Sequence, residues 1–181
     1  MVRPARAQET VVRLDPAQTK VQFSVGSTLH AVHGAFKLRS GEVRFDPASG
    51  KASGAIVVDA ASGDSENEGR NKKMHEKVLE SQKFGEVVFT PNQVRGKMAA
   101  QGSSEMEVSG VFRLHGQDHD LTMTVKVEPR GGNQIQAITH FGVPYVKWGL
   151  KNPGNFLLKV DDTVEVEVHA TGQLTAATAQ N

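Results

Sequence analysis

Alternation of apolar and polar residues with a period of two runs through most of this 181-residue chain. Residues 20–25 read KVQFSV and residues 164–169 read VEVEVH, so every second side chain in these segments is apolar. Successive side chains of a β-strand point to opposite faces, whereas a helix would need apolar residues three or four apart. The chain is therefore predicted to form strands with one buried face.

The strands are short and are separated by turn residues, which favours an antiparallel arrangement. Glycine or proline occurs in most of the predicted connections, for example at Gly102, Gly116 and Pro129. An antiparallel sheet of about eight strands can close into a barrel, which removes exposed edges and leaves room inside for one small ligand. The predicted fold is all-β, an antiparallel β-barrel of about eight strands. Strands are expected near 20–25, 36–39, 43–45, 56–58, 87–90, 93–99, 106–115, 121–129, 134–142 and 163–172.

One segment, residues 65–81, breaks the two-residue period. Met74, Val78 and Leu79 recur there at helical spacing, and Ser65 and Glu68 have the spacing of a capping box. We predict one short amphipathic helix near 67–80, lying across the mouth or side of the barrel.

Composition excludes several classes of function. The formal net charge is +1 and no block of like charges occurs, so nothing indicates nucleic-acid binding. The chain has no cysteine, which excludes thiol catalysis, disulfides and zinc–thiolate sites. Its apolar stretches are too short to cross a bilayer, so no stable membrane insertion is expected.

The first residues suggest export. Ala5-Arg6-Ala7 has the small-x-small form of a signal-peptidase site, although no apolar segment precedes it. An ordinary tail is the alternative interpretation. We divide the chain into a tail at 1–9 that is a candidate signal-peptide remnant, a barrel at 10–175 and a C-terminal tail at 176–181. The expected location is periplasmic or secreted.

The most polar constellation is His115-Gly-Gln-Asp-His119-Asp120. Two imidazoles with a neighbouring carboxylate can bind a metal, which would permit a metal-assisted hydrolase. The segment lies between two alternating runs, however, and we predict a solvated hairpin loop with no metal bound. Motifs of serine hydrolases and nucleotide-binding proteins are absent from the sequence. No catalytic residues, metal or obligatory cofactor are therefore predicted, and the protein is not expected to be an enzyme.

Apolar and aromatic residues form a richer set. They occur on the early strands, around the helix, and in the irregular segment 141–157, which carries the only Trp and the only Tyr. Aromatic loops beside a barrel are typical of the wall of an apolar ligand pocket, with Tyr145 or Trp148 able to offer a hydrogen bond to a head group. The predicted ligand-binding residues are Phe23, Val25, Phe36, Leu38, Met74, Val78, Leu79, Phe84, Phe141, Tyr145 and Trp148.

Several blocks occur in an order that resembles the YceI-like family of lipid- or polyisoprenoid-binding barrels. They are LDPAQTKVQFSVGSTLHAVHGAFKLRSGEVRFDP near the start, ASGDSENEGRNKKMHEKVLESQKFGEVVFTP around the helix, VSGVFRLHGQDHDLTMTV and the closing VDDTVEVEVHATG. The resemblance runs from about Val11 to Leu174. Asn71 stands where the family commonly has Asp, and Gly85 where it often has Pro.

The resemblance implies a lipocalin-like extended barrel, often exported to the periplasm, that binds, transports or stores an apolar lipid. The implied ligand is a polyisoprenoid, an isoprenoid quinone, or a fatty acid or amide. Homodimers occur in such families, and the sequence leaves homodimerisation open. Two alternatives remain: a metal-assisted hydrolase using the His115–His119 turn, and a structural or stress-associated barrel without a ligand.

Overall fold

The computed structural model describes residues 8–176, so the predicted cleavage site at Ala5-Arg6-Ala7 lies outside the described residues. Nine strands and one helical segment make up the fold. The strands are β1 (Thr10–Leu14), β2 (Lys20–Val25), β3 (Val32–Phe45), β4 (Ala52–Asp64), β5 (Glu86–Arg95), β6 (Ser104–Leu114), β7 (Gln117–Gly131), β8 (Gln134–Val143) and β9 (Val164–Ala176).

The strands form a closed antiparallel barrel that is eight strands around, although nine strands are present. β1 and β2 share one position, because both pair with β3 on one side and with β9 on the other. A turn of 3-10 helix at Pro16–Gln18 separates them, and the Asp15 side chain caps it by accepting from the Ala17 N–H. From β3 each strand pairs in turn with the next up to β9, and β9 returns to β1 and β2. The predicted barrel is confirmed.

The period-two pattern decides which side chains face inward. On β9, Val164, Val166 and Val168 face the barrel interior, while Glu165 and Glu167 are exposed. One-residue slippage would place the valines in water and the glutamates inside, so the buried face specifies the register.

The two ends of the barrel differ. At one end, the connections are the turns 46–51 and 132–133 and the longer loop 96–103. Buried side chains including Val12, Phe45, Met106 and Ile135 pack together there. At the other end lie the loop 26–31, the segment 65–85 that contains the helix, and the long segment 144–163. A second buried cluster of Leu114, Val143, Tyr145 and Leu150 lies beneath this end.

The helix falls where the sequence predicts it. An α-helical part, α1 (Glu68–Lys73), continues into a wider π turn at Met74–Val78, where the Leu79 N–H donates to the Met74 carbonyl at 2.8 Å. The capping-box prediction is wrong. Asn67 is the N-cap, since its side chain accepts from the Arg70 N–H at 2.9 Å, and the left-handed Glu66 separates Ser65 from the helix.

Two predicted strands, near 87–90 and 93–99, are one strand in the structure. β5 continues through Pro91, the most completely buried large side chain in the described chain, and its pairing with β6 shifts register between Pro91 and Gln93. A proline lacks the N–H that a regular ladder needs, so a bulge accommodates it. β5 ends at Arg95, before Gly96 adopts a φ of +111°.

The hairpin between β6 and β7 is tighter than predicted. Leu114 pairs directly with Gln117, which leaves only His115 and Gly116 in the turn, with φ of 53° and 74°. Positive φ at both central positions matches the right-handed twist of paired strands. His119 and Asp120 therefore lie within β7, and the predicted solvated loop over 115–120 is wrong. No helix within 8–176 has the length and apolar character needed to cross a bilayer.

Candidate ligand-binding site

The barrel encloses a cavity of about 660 Å³ that extends along much of its length. Sites for small organic ligands commonly have volumes of about 300–1,000 Å³. Every strand contributes apolar side chains to the wall, and they are mainly Val, Leu, Met and Phe. The inward side chains are thus too few and too small to fill the interior of the barrel. Representative lining residues are Val12, Phe23, Leu38, Val58, Phe89, Val108, Val125, Ala137, Phe141 and Val166.

Two threonines place hydroxyl groups on this apolar wall. Thr139 Oγ1 donates to the Thr124 carbonyl at 2.8 Å, so its polar atom is satisfied within the sheet. Thr19 lies where β2 begins and is 8% exposed, and its Oγ1 has no hydrogen-bond partner. A buried hydroxyl without a partner is unfavourable, because it loses water and gains nothing in exchange.

Replacing Thr19 with valine is expected to stabilise the barrel by about 1 kcal/mol, since valine has nearly the same shape without the unpaired hydroxyl. Urea unfolding measures the effect. The matched control is Thr139→Val, which removes a satisfied hydroxyl and should not stabilise. A lower free energy of unfolding for Thr19→Val than for wild type would contradict this explanation.

The cavity opens at the end of the barrel that carries the helix. We call this opening the mouth and define it by the lining residues of three segments. Cationic Arg70 and Lys73 of the helical segment lie on the mouth, whereas no carboxylate is among the described residues that line the cavity. The mouth residues are Ser27, Leu29 and His30, then Asn67, Arg70 and Lys73, and finally Pro153 and Leu158.

A hydrogen-bond network fixes the helix beside the mouth. Asn71 Oδ1 accepts from both the N–H and the hydroxyl of buried Ser65, at 2.8 and 2.7 Å, and Asn71 Nδ2 donates to Asp64 Oδ1 at 2.8 Å. His75 bridges the Gly63 carbonyl and the Ser81 hydroxyl, at 2.7 and 3.0 Å. These contacts join the helix to the end of β4, so Met74, Val78 and Leu79 are held against the cavity.

The Asn71 amide suits this position better than a carboxylate would. An aspartate at this position could accept from Ser65 but could not donate to Asp64. Hydrogen bonds from the Asn71 side chain and then from the Glu66 backbone N–H lower the pKa of the Asp64 carboxyl. Because the folded pKa is depressed, this stabilisation is complete above the unfolded-state pKa and is lost as the pH falls through the folded value.

Asn71→Asp is therefore expected to destabilise the protein at neutral pH, because two carboxylates would face each other where a donor and an acceptor now meet. The difference in free energy of unfolding between the variant and wild type should shrink as the pH falls into the range where carboxyls protonate. Wild type then loses the stabilisation that comes from the ionised Asp64 carboxylate. Urea unfolding of both proteins across this pH range measures the difference. Asn133→Asp, at the exposed β7–β8 turn, is the control. A deficit independent of pH would contradict this explanation.

The structure places nine of the eleven predicted ligand-binding residues on the cavity wall: Phe23, Val25, Phe36, Leu38, Met74, Val78, Leu79, Phe141 and Tyr145. Tyr145 contributes its ring only, because its hydroxyl donates to the Asp161 carbonyl at 2.8 Å. Burial, followed by the nearby charges of Asp162 and Asp161, raises the pKa of Tyr145 to about 12. The Tyr145 hydroxyl, which was predicted to offer a hydrogen bond to a head group, thus donates to a carbonyl of the protein instead.

Phe84 and Trp148 do not line the cavity, which corrects their predicted positions. Phe84 packs against His115 at the β6–β7 turn, with ring centroids 4.3 Å apart. Trp148 stacks on His119 with ring centroids 4.1 Å apart and contacts the lining residue Phe112. Both residues lie in irregular segments, where no periodicity indicates a direction.

The two imidazoles of the His115–His119 segment contact different residues and do not converge on one site. His115 Nε2 pairs with the carboxylate of Glu80 at 2.5 Å, and the pairing lowers the pKa of Glu80. The half-buried His119 ring stacks on Trp148, and its buried Nε2 has no hydrogen-bond partner. Between residues 8 and 176, no three His, Asp or Glu side chains are placed to hold a metal ion.

Sequence reasoning missed the mouth residues of the loop 26–31 and of the segment 153–160. Leu29 and Leu158 both line the cavity, although neither belongs to an alternating strand. The two segments are joined by a bridge between Ser27 and Val160 and by the Thr28 N–H donating to the Lys159 carbonyl at 3.0 Å. No sequence pattern indicates this pairing, because the residues are far apart in the chain.

The fold and the cavity define a class of single-domain antiparallel β-barrels that enclose an apolar space. The chain belongs to the YceI-like family, whose domain model matches residues 13–172. No curated protein matches the sequence.

Solved structures show the same fold. A polyisoprenoid-binding domain from Saccharophagus degradans superposes with a TM-score of 0.71 at 16% identity, covering 91% of this chain and 98% of the other. BcnA of Burkholderia cenocepacia gives 0.68 at 21% identity, covering 87% and 98%. A YceI protein of Campylobacter jejuni gives 0.58 at 14% identity, covering 77% and 81%.

Proposed function

We propose that this protein binds a long apolar or amphiphilic lipid inside its barrel and carries or stores it without chemical change. One observation carries the proposal: the closed barrel contains an apolar cavity of about 660 Å³ that its own side chains leave unfilled and that opens at one end. The polyisoprenoid-binding neighbour from Saccharophagus degradans supports the ligand class. A polyisoprenoid, an isoprenoid quinone, or a fatty acid or amide has the required shape.

Apolar burial alone is sufficient for such binding. Each buried methylene contributes roughly 0.8 kcal/mol, so about twenty carbons contribute on the order of 16 kcal/mol before the costs of association. Those costs are about 4–15 kcal/mol. A chain of this length can therefore be bound without a metal or an ion pair, and its length and width should govern selectivity.

The distribution of polar groups orients the ligand. The cationic Arg70 and Lys73 lie at the mouth, whereas the opposite end of the cavity is lined by residues such as Val12, Phe45 and Met106. We therefore place the apolar chain inward and the polar head at the mouth. The proposed site of action is the periplasm or the outside of the cell, and fractionation of cells that express the full gene tests that location.

Binding of linear polyprenols to delipidated protein tests the proposal. Affinity should rise with each added isoprene unit until the cavity is filled, and it should then stop rising. Displacement of a fluorescent fatty acid reports binding at each length. Saturable binding with this length limit is the expected result. The absence of saturable binding by any polyprenol, quinone or fatty acid would contradict the proposed function.

A further inference from the structure

Exposed apolar side chains are concentrated at the mouth of the barrel. Across the described chain four large apolar residues are exposed: Leu29 at 77%, Phe156 at 97%, Leu157 at 86% and Ile138 at 40%. Leu29 is a mouth residue. Phe156 and Leu157 lie in the same loop as Leu158, which is also a mouth residue. The sequence predicts that 141–157 forms a pocket wall, but the tip of this loop projects into solvent.

Three backbone N–H groups at this tip have partners within the loop. The N–H groups of Leu157 and Leu158 donate to the Asn155 side chain at 2.9 and 2.8 Å, and the Asn155 N–H donates to the Leu158 carbonyl at 2.8 Å. Free N–H groups would oppose entry into an apolar medium, because each would lose its hydrogen bond to water. These hydrogen bonds lower the polar cost of presenting Phe156 and Leu157 to such a medium.

The second loop is joined to the first. The Thr28 N–H donates to the Lys159 carbonyl at 3.0 Å, and Ser27 pairs with Val160. Leu29 thus follows directly on the residue that pairs with Lys159. Leu29, Phe156 and Leu157, which we call the apolar rim, form a surface that continues into the cavity through Leu29 and Leu158.

We propose that the apolar rim docks on the surface of a lipid bilayer and places the mouth against it. This inference rests on the proposed function, because a lipid with negligible solubility in water must enter the cavity from a membrane. The charge that lines the mouth fits an anionic surface: Arg70 and Lys73 line it, and no carboxylate is among the described lining residues. Beside the rim, Lys159 is balanced by the Asp161 carboxylate, which lies against Gly26. Rim side chains supply apolar contact and the cations supply attraction to lipid phosphates.

Sedimentation with lipid vesicles tests this surface. The vesicles contain either phosphatidylcholine alone or equal parts of phosphatidylcholine and phosphatidylglycerol. Wild type should sediment with both and more strongly with the anionic vesicles. The double variant Phe156→Ser, Leu157→Ser should bind at least about tenfold more weakly, since each large apolar side chain that leaves water contributes about a factor of ten.

Ile138→Ser is the matched control, because it removes an exposed apolar side chain from β8 on the barrel wall. It should bind vesicles as wild type does. Equal binding by the rim variant and wild type, or no binding of wild type to either vesicle, would overturn the proposal. Sedimentation velocity adds a second readout: a wild-type dimer that the rim variant dissociates, without vesicle binding, would assign the rim to a second copy of the chain.

Lipid extracted from the same purified proteins separates this inference from the proposed function. Once loaded with lipid, the rim variant should retain it as wild type does, because Phe156 and Leu157 are not among the lining residues. For wild type, lipid in the cavity without vesicle binding would overturn only the docking surface. Vesicle binding with a cavity that accepts no lipid would contradict the proposed function and leave the docking surface standing.

Discussion

Replacing Gly110 with alanine is expected to destabilise the barrel by about 3 kcal/mol or more. A methyl group at this position on β6 would lie 2.3 Å from the Thr90 carbonyl oxygen and 2.8 Å from both Pro91 Cα and Phe89 Cζ. Two of these atoms belong to the backbone of β5, where Pro91 is almost fully buried. Relief of the collision would require the two strands to separate, so the cost exceeds that of adjusting one side chain.

Gly85→Ala is the matched control for this substitution. Its methyl group would meet nothing nearer than the Ser81 carbonyl at 3.6 Å, which is an ordinary contact. We expect its free energy of unfolding to stay within about 1 kcal/mol of wild type. Urea unfolding followed by circular dichroism measures both variants. Equal midpoints for Gly110→Ala and Gly85→Ala would show that close packing of β5 on β6 is not required.

Replacing Val78 with aspartate is expected to weaken the proposed lipid binding by about tenfold or more, measured as the amount of lipid that copurifies with the protein. Val78 lines the cavity and packs against the buried cluster of Leu114, Val143, Tyr145 and Leu150. A carboxylate there would either remain charged in an apolar space or draw water into it, and both outcomes weaken binding of an apolar chain.

Lys77→Asp is the control for Val78→Asp, because it introduces the same residue one position earlier on the exposed side of the helix. It should leave the lipid content close to that of wild type. Lipid content is compared only for variants that show a cooperative thermal unfolding transition, which establishes that they are folded. The same lipid content in both would mean that the helix does not form part of the binding surface.

The sequence predicts most of the strands, because burial of one face produces alternation in the residue pattern. It misses β1, and it divides β3 into two strands near 36–39 and 43–45. On β9, a valine at every second position is sufficient to assign the inward face. The helix is likewise detectable, since Met74 and Val78 interrupt the two-residue period with helical spacing. Both features depend on neighbours in the chain, so a single sequence contains the information.

The irregular segments were predicted less well, because contacts between distant residues determine their directions. Trp148 turns toward His119 and Phe156 projects into solvent, although both are aromatic residues of the same segment. The position of the mouth depends on the bridge from Ser27 to Val160, which no local pattern indicates. The length of the β6–β7 turn depends on two consecutive residues with positive φ, His115 and Gly116.

Native mass spectrometry of the full chain, purified without detergent, tests the binding of a lipid inside the barrel most directly. The expected spectrum contains a species heavier than the protein by the mass of one lipid, and organic extraction should recover that lipid. Val78→Asp should shift the population toward the unbound mass, while Lys77→Asp should not. A spectrum with only the unbound mass, both as purified and after incubation with polyprenols, quinones and fatty acids, would contradict lipid binding.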